Sequence, residues 1–147
     1  MLYGRQIAVV VPAYNEERFI VRTLRTVPRY VDTIVVIDDA STDATPERAA
    51  RVRDERVSTI RNAVNRGVGA AIASGYARAL SLGADWIVVM AAVGQMDPGD
   101  LRALLRPLAQ GAADYVKGNR LGHPSVRGAM PFARRVGNII LTRLTRL

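Results

Sequence analysis

The sequence contains no cysteine, which excludes disulfide bonds and metal sites built from thiolates. It also lacks any apolar run near the roughly 20 residues that a membrane-spanning helix needs. The apolar stretch at the N-terminus is short and is soon followed by Glu16 and Glu17, which is not typical of a signal peptide. Together these absences favour a cytoplasmic protein.

Lysine is nearly absent too, since Lys117 is the one lysine among 21 basic residues. With 13 acidic residues the formal net charge is +8. Arginine-rich codon usage or a heat-adapted source would explain this charge, and so would an anionic partner such as phosphate groups or a membrane surface. A nucleic-acid partner is not expected, because the basic residues are not interleaved with the aromatic residues of a stacking platform.

Short β-branched runs alternate with helical patterns along the chain. Strands are predicted over residues 7–11, 33–37, 57–60, 85–90 and 115–117, and helices over about 16–27, 45–53, 68–83, 98–109 and 132–147. This alternation predicts one α/β domain, residues 1–147, built on a parallel, doubly wound sheet. Ligands of such sheets bind beyond the carboxyl ends of the strands.

The first strand ends in the segment PAYNEE. Tyr14 is placed to stack on a base, and Glu16 and Glu17 are placed to bond ring nitrogens or sugar hydroxyls. The structural alternative is that Asn15 caps the following helix and that the two glutamates lie in its first turn. The two interpretations are compatible.

The second strand ends in the segment DDASTDAT. Adjacent carboxylates at a strand end are costly unless something uses them, which singles out Asp38 and Asp39. We predict that one accepts from a base imide or a ribose hydroxyl and that the other braces the loop. Ser41 and Asp43 are interpreted as turn formers, and Thr45 begins the next helix.

A third loop, NRGVGAAI, carries Gly67 and Gly69. It lacks the third glycine of a dinucleotide fingerprint and the lysine of a P-loop. Its glycines allow close backbone approach at a helix N-terminus, which suits a diphosphate, and Arg66 would add charge. Taken alone, the segment favours a structural turn.

Taken in order, the segments VVVPAYNEE, VVIDDASTDAT, NRGVGAAIASGYARAL, DWIVVMAAVGQMDPGDL and YVKGNRL resemble the family 2 inverting glycosyltransferases of GT-A fold. The likeness covers essentially the whole chain and is nearest to the branch that makes polyprenyl- or dolichyl-phosphate sugars. It implies a Rossmann-like, mostly parallel sheet flanked by helices. It also implies a nucleotide-diphosphate sugar donor, a polyprenyl-phosphate acceptor and a divalent cation, Mg²⁺ or Mn²⁺.

The resemblance implies roles for individual residues as well. The residues that would hold the nucleoside lie at the strand ends and are Pro12, Tyr14, Glu16 and Asp39, with Asn65 nearby. Asp38 is also expected to bind the nucleotide sugar, because it is adjacent to Asp39. Arg120 and Arg134 would approach the donor or acceptor phosphates and stabilise their charge.

The sequence departs from the family at the metal site. Family members end the fourth strand in Asp-x-Asp, or keep its second aspartate, because a hard dication takes oxygen ligands and neutralises the departing diphosphate. Ala91 and Val93 stand at these positions, whereas Gln95, a metal contact in the family, is present. Asp97 is a remaining carboxylate, and capping the helix that begins at Pro98 is its favoured role. A non-catalytic nucleotide-sugar-binding module is therefore the alternative to an active transferase.

The predicted last helix, residues 132–147, has an apolar side and a basic side. Such a helix can lie on an anionic membrane, although packing on the sheet, or on a second subunit in a homodimer, is the favoured alternative. His123 is interpreted as a solvated loop residue. The resemblance implies a further acceptor-side part carrying an acidic general base, which an anionic phosphate acceptor would not require.

Overall fold

The structure is a computed structural model and describes residues 1–92 and 96–118. Its elements are, in chain order, β1 (Ile7–Ala13), α1 (Ile20–Thr26), β2 (Thr33–Asp38), α2 (Thr45–Ala50), β3 (Val57–Arg61), α3 (Val68–Ser81), β4 (Trp86–Val89) and α4 (Leu101–Ala109). A short 3₁₀ helix, Pro98–Asp100, precedes α4. The chain divides into two compact units, Met1–Arg102 and Ala103–Leu147, and the first holds all four strands.

The strands form one parallel sheet in the order β3-β2-β1-β4. Every residue of β1 is buried, as are five of the six residues of β2, because these central strands have neighbours on both edges and apolar runs for both faces. β3 and β4 flank them and are only partly buried. The pairing of β1 with β4 ends at Val10, two residues before Pro12. The N–H that Pro12 lacks therefore leaves no gap in the hydrogen bonds between β1 and β4. The predicted parallel α/β sheet is confirmed.

The helix α3 packs against β1 and β2 through its smallest residues. Ala71, Gly75 and Ala79 recur every four residues and form the buried face of the helix. A Cβ atom at Gly75 would collide with the side chain of Val10, lying 3.2 Å from Cγ2 and 3.3 Å from Cβ. The close approach of α3 to β1 therefore depends on glycine at position 75.

The first helix differs from the prediction. α1 begins at Ile20, and no acidic residue lies in its first turn, so the placement of Glu16 and Glu17 there is wrong. Asn15 does not cap it either, because Asn15 has φ 55° and its Oδ1 accepts from the backbone N–H of Thr42 at 2.9 Å. Asn15 ties two loops together instead of starting a helix.

Two further elements differ from the sequence-based expectation. α2 ends at Ala50 and not near residue 53, since the chain turns into β3 through Asp54, whose Oδ1 accepts from the N–H of Arg56 at 3.0 Å. Residues 115–117 form no strand, because no described strand pairs with them. The predicted start of α2 at Thr45, with Pro46 in its first turn, is confirmed.

Across the two described ranges, none of the helices combines the length and the apolar character required to span a bilayer.

Replacing Gly75 by alanine should lower the free energy of unfolding by about 1–3 kcal/mol, because the added methyl overpacks Val10. Gly69→Ala is the matched control, since a Cβ atom at that helical position meets nothing within 4 Å. This control should leave stability unchanged or raise it by up to about 1 kcal/mol. Urea unfolding curves of the two variants test this, and equal midpoints would contradict the close approach.

Candidate functional site

Three loops follow the carboxyl ends of β1, β2 and β3. We call them the β1 loop (residues 14–19), the β2 loop (residues 39–44) and the β3 loop (residues 62–67). Because the strands are parallel, all three loops emerge at one edge of the sheet. This is the edge at which parallel α/β sheets bind ligands.

The β1 loop is held by side chains at the end of β2. Three consecutive backbone N–H groups, those of residues 15–17, donate in turn to Ser41 Oγ at 3.0 Å, Thr45 Oγ1 at 2.8 Å and Asp43 Oδ2 at 3.1 Å. Asp43 Oδ1 also accepts from the N–H of Thr45 at 2.9 Å, which confirms the prediction that Asp43 forms a turn. The two loops are thus fixed to one another before any ligand arrives.

Asp39 joins the β2 loop to the β3 loop and is only 3% exposed. Its Oδ1 accepts from Asn62 Nδ2 at 2.7 Å, and its Oδ2 accepts from the N–H of Gly67 at 2.7 Å. The N–H of Arg66 lies 3.1 Å from both oxygens. Gly67 precedes α3 with φ 84°, so this carboxylate sets where α3 begins.

The surroundings of Asp39 favour its charged form. Burial acts to raise the pKa of this carboxyl, but the hydrogen bonds from Asn62, Arg66 and Gly67 and the positive charge of Arg66 lower it by more. Asp39 is therefore ionised at neutral pH. Of the two adjacent aspartates, it is the one that braces a neighbouring loop.

Asp38, the last residue of β2, is fully buried. Its Oδ1 accepts from the N–H of Ser41 at 3.1 Å. Its Oδ2 lies 3.3 Å from Nε of Arg61, but the direction of that contact is not that of a hydrogen bond, and this oxygen has no hydrogen-bond donor within the described residues. The pair is therefore a charge contact inside the protein.

The other predicted nucleotide-binding residues lie at the same edge. Pro12 is buried in β1, whereas Tyr14 follows that strand and is 46% exposed. Asn65 is exposed in the β3 loop, and its Oδ1 accepts from the N–H of Gly67 at 2.9 Å. Glu16 is half-buried, and burial together with the nearby charge of Asp43 raises its pKa.

The end of β4 supplies few ligands for a cation. Met90 and Ala92 are buried and Ala91 is half-buried. Asp97 is exposed, and its Oδ1 accepts from the N–H of Gly99 at 2.8 Å, which confirms its predicted capping role. Within residues 1–92 and 96–118, no three acidic, histidine or cysteine side chains are grouped so that they could hold a metal ion.

Several predicted residues lie outside the described ranges. They are Val93, Gln95, Arg120, His123 and Arg134, and the predicted helix of residues 132–147 lies there as well. The predictions made for these residues stay predictions.

The sequence-based reasoning missed Arg61 and Asn62. Parallel pairing aligns Asp38 with Arg61, the last residue of β3, and Asn62 follows at once beside Asp39. Aligning the ends of the two predicted strands would have suggested both contacts, since each brings a donor next to a carboxylate.

The sequence model of glycosyl transferase family 2 matches residues 8–147. The chain belongs to glycosyltransferase family 2. Among curated members, it is 31% identical to the UDP-N-acetylglucosamine–dolichyl-phosphate N-acetylglucosaminyltransferase of Methanococcus voltae, over 95% of this chain and 61% of that protein. It is 34% identical to an uncharacterized glycosyltransferase of Mycobacterium tuberculosis, over 95% of this chain and 59% of that protein. The chain thus spans about 60% of the length of these family 2 relatives.

A solved structure shares the family 2 fold. Glucosyl-3-phosphoglycerate synthase from Mycobacterium tuberculosis, crystallised with Mn²⁺, UDP and phosphoglyceric acid, superposes with a TM-score of 0.58 at 26% identity. The match covers 72% of this chain and 39% of that one. A Rossmann-like GT-A sheet is therefore confirmed, and a divalent cation is expected from the family.

The residues of this family 2 chain do not fit such a cation. Mg²⁺ and Mn²⁺ are held by oxygen ligands, usually with one or two carboxylates. Residues 91–96, AAVGQM, contain no carboxylate, and Asp97 already uses one oxygen as a cap. Asp38 and Asp39 bind Ser41 and the β3 loop instead.

Asp39→Asn should lower the free energy of unfolding at pH 7 by about 1–3 kcal/mol, because an amide carries no charge and leaves a buried donor poorly paired. The lowered pKa means that the contribution of Asp39 is complete above its unfolded pKa of about 3.9 and is lost as the pH falls through the folded value. The difference between variant and wild type should therefore shrink below about pH 4. Urea unfolding at pH 7 and pH 3 measures it, with the exposed Asp114→Asn as control. A difference that is constant with pH would contradict the charged network.

Proposed function

We propose that the protein transfers a sugar, with inversion, from a nucleotide-diphosphate sugar to a polyprenyl phosphate. The observation that carries this proposal is the meeting of three hydrogen-bonded loops at one sheet edge, with Tyr14 exposed in the β1 loop. Family membership and the named activity of the Methanococcus voltae relative support the reaction class.

In this proposal the nucleoside binds against the β1 loop. The ring of Tyr14 stacks on the base. The carboxylate of Glu16 makes no hydrogen bond within residues 1–92 and 96–118, and it accepts from a base or sugar group. Asp38 is fully buried and shapes the β2 loop beside the nucleoside, since it accepts from the N–H of Ser41. Asp39 and Asn65 contribute by shaping the β3 loop beside the nucleoside.

The proposed chemistry is a single in-line displacement. An oxygen of the acceptor phosphate forms a bond to the anomeric carbon while the bond from that carbon to the donor diphosphate breaks. The nucleoside diphosphate leaves with the electron pair, and the configuration inverts. The acceptor is already anionic, so no general base is needed. Arg120 and Arg134 are proposed to stabilise the phosphate charge.

A polyprenyl phosphate resides in a bilayer, so the proposal places the protein at the cytoplasmic face of a membrane. The basic side of the predicted helix, residues 132–147, would suit contact with anionic lipid headgroups. Its apolar side would suit packing on the sheet or on a second subunit.

A second candidate is a non-catalytic module that binds nucleotide sugars. Ala91 and Val93 favour it, because both stand where the resemblance places metal-binding aspartates. Loss of one group that stabilises the transition state commonly lowers kcat by about 10²–10³-fold.

Tyr14→Ala should weaken the binding of UDP or GDP by about tenfold, because stacking on an aromatic ring contributes roughly 1–3 kcal/mol per base. Tyr76→Ala is the matched control, since Tyr76 is similarly exposed, at 40%, and lies on α3. Isothermal titration of wild type and both variants measures the affinities. Equal losses in the two variants, or no binding of either nucleotide by wild type, would refute the proposed site.

Transfer of labelled sugar separates the two candidates. The full chain is incubated with UDP-N-acetylglucosamine, UDP-glucose or a GDP-hexose and a polyprenyl phosphate, and label is counted in the lipid phase. A transferase yields label that decreases in Tyr14→Ala and not in Tyr76→Ala. Nucleotide binding without transfer from any donor would favour the binding module.

A further inference from the structure

We infer that this chain binds the diphosphate of its donor without a divalent metal and that Arg22 supplies the positive charge at the end of β4. The inference rests on the proposed function, because it concerns the same nucleotide. It departs from the metal dependence that the resemblance implies, and it assigns a binding role to a residue of α1.

The first observation is the shortage of oxygen ligands described above. Residues 91–96 offer the amide of Gln95 and no carboxylate. Magnesium and manganese sites at substrate phosphates usually have one or two carboxylate ligands that place the ion. Residues 91–96 provide none, and Asp97, the next carboxylate along the chain, already uses one oxygen as a cap, so a cation would be held there mainly by the substrate itself.

The second observation is an open cavity of about 360 Å³ between α1 and the end of β4. Its lining includes Ala91, at the expected ligand position, together with Arg22, Thr23 and Asp97. Arg22 is the third residue of α1, and α1 follows the carboxyl end of β1, so this guanidinium lies at the ligand-binding edge of the sheet. The position where the resemblance places a metal ligand, Ala91, and the permanent positive charge of Arg22 therefore line the same cavity.

The third observation is that Arg22 is available. Within the described residues, no carboxylate lies within 4 Å of its guanidinium. Asp97 is the acidic group that shares the cavity, and it is engaged with the N–H of Gly99. A guanidinium presents its N–H donors in a planar fork that matches two phosphate oxygens.

Fewer negative charges then oppose the diphosphate at this position, without a metal. A site with two aspartates repels a diphosphate until a dication binds between them. Replacing both aspartates by Ala91 and Val93 removes that repulsion, and one arginine then suffices to attract the diphosphate. The loss of the metal ligands and the presence of Arg22 both favour binding of a diphosphate without a metal.

The test is isothermal titration of the full chain with UDP, GDP, uridine and guanosine, in EDTA and again in Mn²⁺. We expect the preferred diphosphate to bind with the same affinity, within about twofold, in both solutions. Arg22→Gln should weaken that binding by about tenfold and leave the affinity for the matching nucleoside unchanged, because only the diphosphate contacts the guanidinium. Arg25→Gln, an equal loss of charge at an exposed position of the same helix, should change neither affinity.

A companion variant, Ala91→Asp with Val93→Asp, should bind the diphosphate weakly in EDTA and recover in Mn²⁺. Wild-type binding that requires Mn²⁺ would overturn the inference while leaving the proposed function intact. So would an Arg22→Gln variant indistinguishable from Arg25→Gln. Failure of every nucleotide to bind would overturn the inference and the proposed function together.

Discussion

A buried carboxylate destabilises a fold unless hydrogen bonds or opposite charge offset the loss of its hydration. Asp39 meets this condition with the amide of Asn62 and the backbone N–H groups of Arg66 and Gly67. Because those donors belong to the β3 loop, the same bonds fix where α3 starts. α3 in turn packs on β1 and β2 through Ala71, so one side chain links the ligand-binding edge to the core.

Asp38 and Asp39, although adjacent, have different partners at this edge of the sheet. Asp39 is saturated by protein donors, whereas Asp38 keeps one oxygen beside Arg61 without a hydrogen bond. Arg61 also donates to the carbonyl of Ser41 at 2.9 Å and so covers the β2 loop. The edge is therefore fixed by hydrogen bonds and a charge contact within the protein, which is the property expected of a preorganised ligand site.

The sheet could be predicted from the sequence because its signals are local. The apolar runs of β1 and β2 predict strands buried on both faces, and the Thr45–Pro46 pair predicts the start of α2. The site was predictable only in outline. Asn15 has the side chain of a helix cap, but its partner is Thr42, a distant residue that no local pattern reveals. The cavity that Arg22 and Ala91 line was likewise not predicted, because it depends on α1 and the end of β4 meeting in space.

The β1 loop is held mainly by its backbone, since the N–H groups of residues 15–17 donate to acceptors in the sequence that follows β2. Any residue except proline can supply such a donor. The side chains at positions 14 and 16 can therefore change over generations with little effect on the fold. In the proposed site, selection for a new base or sugar would act on them directly, while the acceptors Ser41, Asp43 and Thr45 are kept. In the β1 loop, substitutions at positions 14 and 16 could therefore change which ligand is preferred without lowering the stability of the fold.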